Sequence, residues 1–348
     1  MKIFSFIILL IIAVGFLPQN NFAQFRRKKE IKTSLNFNIQ QLAPGVWAAI
    51  NNDNYGKAIC NAGIVDLGQQ TLVFDPFMNP AVAAELKDVA KQLTGKDVTI
   101  VVNSHYHNDH IRGDQAFIPN ATIISTTTTK ASIEANEPDE REWEKAYAPT
   151  LLQALKTRLS NSNSSEKEEL PYWIGYYEGL VESSSDLFLA VPDQTFDDSL
   201  WIEGSKLSIK LVERKNGHTS SDAVLLIPSL GIAFMGDLLC NERHPWLSDG
   251  NIEGWRKSLK IFYEDTTYHT YLPGHGAVTD KPALKILYEY LGDMQSWCNA
   301  ATTDSAQTAL INQSVPYPYN SWHSVKFYQP NLQFLINQAK AKARSSTT

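Results

Sequence analysis

The chain has 348 residues, 43% hydrophobic and 20% charged, enough to bury a core in one large domain or two smaller ones; disordered, collagen-like and coiled-coil proteins are excluded. Its 31 Lys and Arg against 37 Asp and Glu give a formal charge of -6, which would repel a polyphosphate and offers no electrostatic basis for a nucleic-acid partner. Three cysteines, Cys60, Cys240 and Cys298, make no disulfide framework, so packing must hold the fold.

Lys2 precedes a 15-residue apolar run, Ile3 to Leu17, and Ala23 offers a small residue for signal cleavage. Residues 1–23 therefore read as an export signal and 24–35 as a linker, with the mature protein periplasmic or secreted. The run is short against the ~20 apolar residues that span a bilayer, so no stable membrane span is expected after cleavage. An uncleaved N-terminal anchor is the alternative, because Arg26, Arg27, Lys28 and Lys29 resist translocation.

Short apolar runs separated by turn residues predict strands at 45–50 (GVWAAI), 62–68 (AGIVDLG) and 71–76 (TLVFDP). Behind Pro80, the spacing of Val82, Leu86, Val89 and Leu93 predicts a helix over 80–93, feeding a buried strand at 97–104. Residues 131–190 turn charged and aromatic around NSNSSEKEE, which predicts a helical insertion of two or three helices with a mobile joint, placed as a lid. Strands resume in LWIEG, KLSIKLVER, AVLLIPS and GIAFMGD, followed by helices near 255–263 and 282–297. The main domain is expected over 36–300, and 301–348 as a C-terminal extension with a helix near 330–343. Two blocks of strands, each accompanied by helices, predict an α/β protein with two face-to-face sheets and helices outside.

Three of the eight histidines fall in His105-Tyr106-His107-Asn108-Asp109-His110, a pattern expected by chance roughly twice in ten thousand chains of this composition. On extended backbone, side chains at i and i+2 point the same way, so His105 and His107 can grip one ion, while the next turn aims Asp109 and His110 elsewhere. So short a segment cannot easily surround one tetrahedral ion, whereas two neighbouring ions would need partners from later strands. His218, Asp237 and His275 are suitable, each at the end of an apolar strand with Gly217, Gly236, Gly274 or Gly276 beside it to permit a tight turn and close approach.

The segment His105-x-His107-x-Asp109-His110, followed in order by His218, Asp237 and His275, resembles the metallo-β-lactamase superfamily over roughly residues 36–300. The resemblance implies an αββα four-layer sandwich with a metal pair at one edge. It assigns His105, His107 and His218 to one ion and Asp109, His110 and His275 to the other, with Asp237 bridging. An aspartate there looks like the thioesterase, lactonase and phosphodiesterase branches rather than the true β-lactamases, which usually carry cysteine or serine near that point. The expected function is hydrolysis of an ester, thioester, lactone or related bond in a small-molecule substrate. Two divalent ions, about 3.5 to 4 Å apart, would activate a bridging hydroxide, and Asp109 would orient it and relay its proton. Zinc is favoured by the imidazole-rich set, and iron or manganese would also be accepted. The alternatives are β-lactamase activity, a mononuclear iron sulfur-dioxygenase, and a non-catalytic metal-binding protein.

The other polar candidates have plainer roles. Asp75 is expected to cap the next helix or hydrogen-bond the motif loop, Asp222 to cap or support, His244 to lie on the surface, and Cys240 to be a small buried hydrophobe. Trp173, Tyr176 and Tyr177 are expected to be helix packing that could also line a pocket, and His269 and His323 carry no signal.

Overall fold

A computed structural model describes residues 34–162 and 166–345. The expected export signal (1–23), nearly all of the 24–35 linker and the centre of the insertion's joint (163–165) lie outside them.

Short apolar runs, several buried on both faces, build two sheets. The first has seven strands in chain order: β1 (Phe37–Ala43), β2 (Val46–Asn51), β3 (Ala62–Asp66), β4 (Thr71–Phe74), β5 (Val98–Val102), β6 (Thr122–Thr126) and β7 (Gln194–Phe196). The first four pair antiparallel; β4 to β7 pair parallel. The second has the order β12-β11-β10-β9-β8, from β8 (Ser199–Ile202), β9 (Ile209–Lys215), β10 (Ser221–Ile227), β11 (Ile232–Cys240) and β12 (Thr270–His275), with only β11 and β12 parallel.

Successive side chains leave opposite faces of a strand. On β10, Ala223, Leu225 and Ile227 enter the core between the sheets, while Val224 and Leu226 face an outer core with α5 (Ile252–Glu264), α6 (Lys281–Ala300) and α8 (Tyr328–Ser345). On β5, Ile100 and Val102 point between the sheets and Val101 points to α1 (Pro80–Thr94). Helix, sheet, sheet, helix is the αββα sandwich expected. Helix α1 starts where Asn79 Oδ1 accepts from the Ala81 and Val82 amides and ends at Gly95 in the left-handed conformation. The short helix α7 (Asp304–Ile311) completes the C-terminal layer.

Between the sheets, Gly63 lies under the Phe234 ring, and a Cβ there would overlap that ring. Gly63→Ala should therefore cost about 1 to 3 kcal/mol as the packed core is forced apart; an unchanged urea midpoint would show that the sheets separate freely.

The insertion begins earlier than expected, since α3 runs from Thr127 to Asn161 with Pro138 and Pro149 inside it and is followed by α4 (Glu166–Ser183). It is bolted to the sandwich through buried charge. Arg112, just after the helical turn α2 (Asn108–Ile111), meets Glu137 at 3.0 Å and Glu144 at 2.5 Å, both on α3. Among the described residues no helix is long and apolar enough to cross a membrane.

Candidate metal centre

The histidine motif occupies the loop after β5. Asp75 Oδ1 accepts from the Ser104 amide at 2.7 Å, and Ala223 of β10 donates its amide to the Ser104 carbonyl at 2.6 Å, so both sheets hold the loop. His107 keeps extended backbone at the start of α2, which lifts Asp109 and His110 onto the next turn. The second sheet supplies the rest at the same edge: His218 from the β9–β10 turn, Asp237 from β11 and His275 from the end of β12. Asp237 does not end its strand as expected, because β11 continues to Cys240 with its register shifted around Gly236. Gly274 makes room for the carboxylate, since a Cβ there would overlap Asp237 Oδ1.

All seven expected ligands converge. His107 Nδ1 lies 3.0 Å from His105 Nε2 and 2.9 Å from His218 Nε2. His275 Nε2 lies 3.3 Å from Asp109 Oδ2, and His110 Nε2 lies 3.6 Å from the same oxygen. Asp237 stands between the groups, at 3.2 Å from His110 Nε2, 3.2 Å from His275 Nε2 and 3.5 Å from His218 Nε2. His105, His107 and His218, and Asp109, His110 and His275, are each close enough to hold an ion, as are His105, His110 and Asp237.

The far nitrogens are oriented by partners. His110 Nδ1 meets Asp75 Oδ2 at 2.9 Å and His107 Nε2 meets Asp249 Oδ2 at 3.1 Å. His275 Nδ1 donates to the Ile59 carbonyl at 3.2 Å, which leaves its Nε2 lone pair free. His110 Nε2 and Asp237 Oδ1 are both buried without a hydrogen bond among the described residues. Buried polar atoms are rarely left so, and two facing acceptors fit a cation between them.

Electrostatics divides the donor set: His105 and His218 are held neutral, whereas, against burial, neighbouring carboxylates raise His107, His110 and His275, so an ion taken by those three would displace protons. Burial pushes His218 down to about 3 and His105 well below its ordinary value, so both imidazoles are neutral, as a metal ligand must be. Burial works against the Asp109 charge, but His110 and His275 outweigh it and hold the carboxyl at about 2. Conversely, burial opposes a charge on His275, while Asp237 and Asp109 lift it to about 9. Asp109 and Asp237 are thus a carboxylate pair whose charge is compensated by the imidazoles around it.

The matched family spans these groups: residues 55–275 fit the model of the metallo-beta-lactamase superfamily. The chain belongs to that superfamily. Among solved structures, this superfamily member is similar to a metallo-beta-lactamase from Pontibacter korlensis, at 14% identity over 74% of this chain and 99% of that one, with a TM-score of 0.54. FIM-1 from Pseudomonas aeruginosa in its mono-zinc form is 15% identical over 74% and 96%, with a TM-score of 0.53. A metallo beta lactamase from Erythrobacter litoralis, with beta mercaptoethanol in the active site, is 15% identical over 76% and 100%, also at 0.53. At these identities the likeness concerns the fold. No curated protein matches the chain.

The supporting residues divide. Asn79 caps α1, so Asp75 takes its other expected role and ties the motif loop. Asp222 accepts from the Thr219 amide and hydroxyl and supports the His218 turn. His244 is not on the surface: it is buried among Tyr290, Trp322 and Tyr328, with its Nδ1 2.8 Å from the Tyr290 hydroxyl. Cys240 is buried, as expected, and also borders the cavity over the cluster. Trp173, Tyr176 and Tyr177 both pack the insertion and line that cavity, of about 550 Å³. His269 and His323 are exposed.

Sequence reasoning missed Asn108, which donates to Glu140 at 3.0 Å, Glu144 at 2.7 Å and the Tyr176 hydroxyl at 3.0 Å, hooking the motif to the insertion. It missed Asp249, in an unremarkable Ser-Asp-Gly turn, whose hydrogen bond from His107 holds its carboxyl at about 2. It also missed Lys326, outside the matched span, whose ammonium sits 3.0 Å from the centre of the Trp173 ring. The residue as a whole is exposed, yet crowding around the ammonium pushes it down to about 7.

Proposed function

We propose that the protein is a metal-dependent hydrolase with a dinuclear, zinc-favouring site acting on an ester, thioester, lactone or related bond of a small molecule. The observation that carries this reading is Asp237, whose carboxylate stands within 3.5 Å of nitrogens from both histidine groups. His105, His107 and His218 would hold one ion and Asp109, His110 and His275 the other, with Asp237 shared. Ions so held would supply Lewis acidity to the scissile oxygen and acidify a water at neutral pH.

The chain's own residues do the rest. Asp109 borders the cavity, and its carboxylate takes a proton from the attacking water and returns it to the leaving group. Asp75, Asp249 and the Ile59 carbonyl fix the imidazole rings, so no reorganisation is needed during reaction. The complete second set of donors favours this reading over a mononuclear iron dioxygenase. The aspartate at position 237 favours it over a β-lactamase.

Elemental analysis of the purified protein should find close to two equivalents of divalent metal per chain. Turnover on a panel of thioester, lactone, phosphodiester and chromogenic β-lactam substrates should be lost with chelator and in His105→Ala. Less than one equivalent of metal, with chelator-insensitive activity, would overturn the reading.

A further inference from the structure

The cavity over the cluster is walled mostly by parts of the chain outside the sheets. Tyr172, Trp173 and Tyr177 come from α4 and Trp143 from α3; Lys326 and Phe327 come from a short 3-10 turn, Val325–Phe327, lying beyond the matched span of 55–275. These surfaces interlock: the Trp173 and Phe327 rings lie 5.4 Å apart, as do Trp246 and Phe327. The turn is fastened from both sides, since the Val325 amide donates to Glu169 on α4 at 3.3 Å and the His244 amide donates to the His323 carbonyl at 2.9 Å. The wall is thus built before any ligand arrives.

Two cations border this cavity. Arg243 is engaged by Asp53 and stacks 5.1 Å from the Tyr172 ring. Lys326 lies over Trp173 and, among the described residues, meets no carboxylate at ion-pair distance. An ammonium held over an aromatic ring and outside ion-pair distance of the described carboxylates can take an anion, and the aromatic faces beside it suit a flat apolar body. Glu140 and Asp249 also border the cavity, and Glu169 lies near Lys326, so a dianion would meet more repulsion than one ammonium could offset.

We propose that Lys326 and the aromatic wall form a specificity subsite for a substrate with a flat, aromatic body and a single carboxylate remote from the bond that breaks. The subsite deepens the hydrolase reading by naming its substrate class, but its test does not require turnover.

Binding of 2-naphthoate and its neutral counterpart 2-naphthamide is measured by calorimetry on the metal-loaded protein, on Lys326→Met and on Lys326→Arg. A charge-assisted contact predicts naphthoate binding about tenfold tighter than naphthamide. The preference should vanish in Lys326→Met, with an unchanged far-UV circular dichroism spectrum and urea midpoint as the sign of intact folding, and return in Lys326→Arg. A preference that survives in Lys326→Met would place the carboxylate on the metals instead and overturn the proposal; so would equal affinities, or no measurable naphthoate binding, in the unmodified protein. If the protein holds less than one equivalent of metal and no substrate on the panel turns over while the preference follows Lys326, the hydrolase reading falls and the subsite stands. Turnover without that preference does the reverse.

Discussion

Asp237→Asn should remove at least about 10³-fold from kcat/KM and lower the bound metal below two equivalents. The substitution keeps the shape of the side chain and removes its charge, at the position from which, among the described residues, a carboxylate reaches His110, His218 and His275 together. Deleting a single group that stabilises transition-state charge costs about 10² to 10³ in rate, and here a shared metal ligand would be lost as well. Elemental analysis alongside initial rates separates the two contributions, and an unchanged far-UV circular dichroism spectrum establishes that the fold is intact. Two retained equivalents with full activity would refute the bridging role.

Arg112→Met should destabilise the fold by about 3 to 5 kcal/mol, the usual cost of removing one partner from a buried ion pair. Arg112 is only 4% exposed, and Glu137 and Glu144 are 1% and 5% exposed. Burial already raises the Glu144 carboxyl, with Arg112 the main force holding it down. Without the guanidinium, two buried carboxylates lose their counter-charge. Adding Glu137→Gln and Glu144→Gln to Arg112→Met should recover much of the loss, because the uncompensated charge and not the missing contact dominates. Urea denaturation of the single and combined variants reads both values; a loss below about 1 kcal/mol for Arg112→Met would mean that water reaches the network. Since Asn108 joins one of these carboxylates, Glu144, to the histidine motif, the single variant should also bind metal more weakly.

Legibility along the chain followed local physics. Helix α1 was readable because its apolar positions repeat at helical spacing and Pro80 marks its start; its cap, Asn79, was not read. Strand β6 went unread, since five residues followed at once by a threonine-rich helix start give no period to count. Strand β7 is three residues with two of them exposed, an edge strand with no alternation to detect. The surface expectation for His244 failed because what buries it, Tyr290, Trp322 and Tyr328, arrives 46 to 84 residues later.

Sequence alone determined the chemistry of the cluster. Seven ligand-type residues, three of them with glycine alongside, mark candidate metal donors, because ligand identity and turn geometry are local properties. It also determined the layered architecture, through alternating apolar runs in two blocks. Only the tertiary structure decided what surrounds the cluster: Asp249 beneath His107, α3 hooked to Asn108, and Lys326 over Trp173. Those contacts span 142, 32 and 153 positions, and they depend on how insertion and C-terminal segment pack against the sandwich, which no local period encodes.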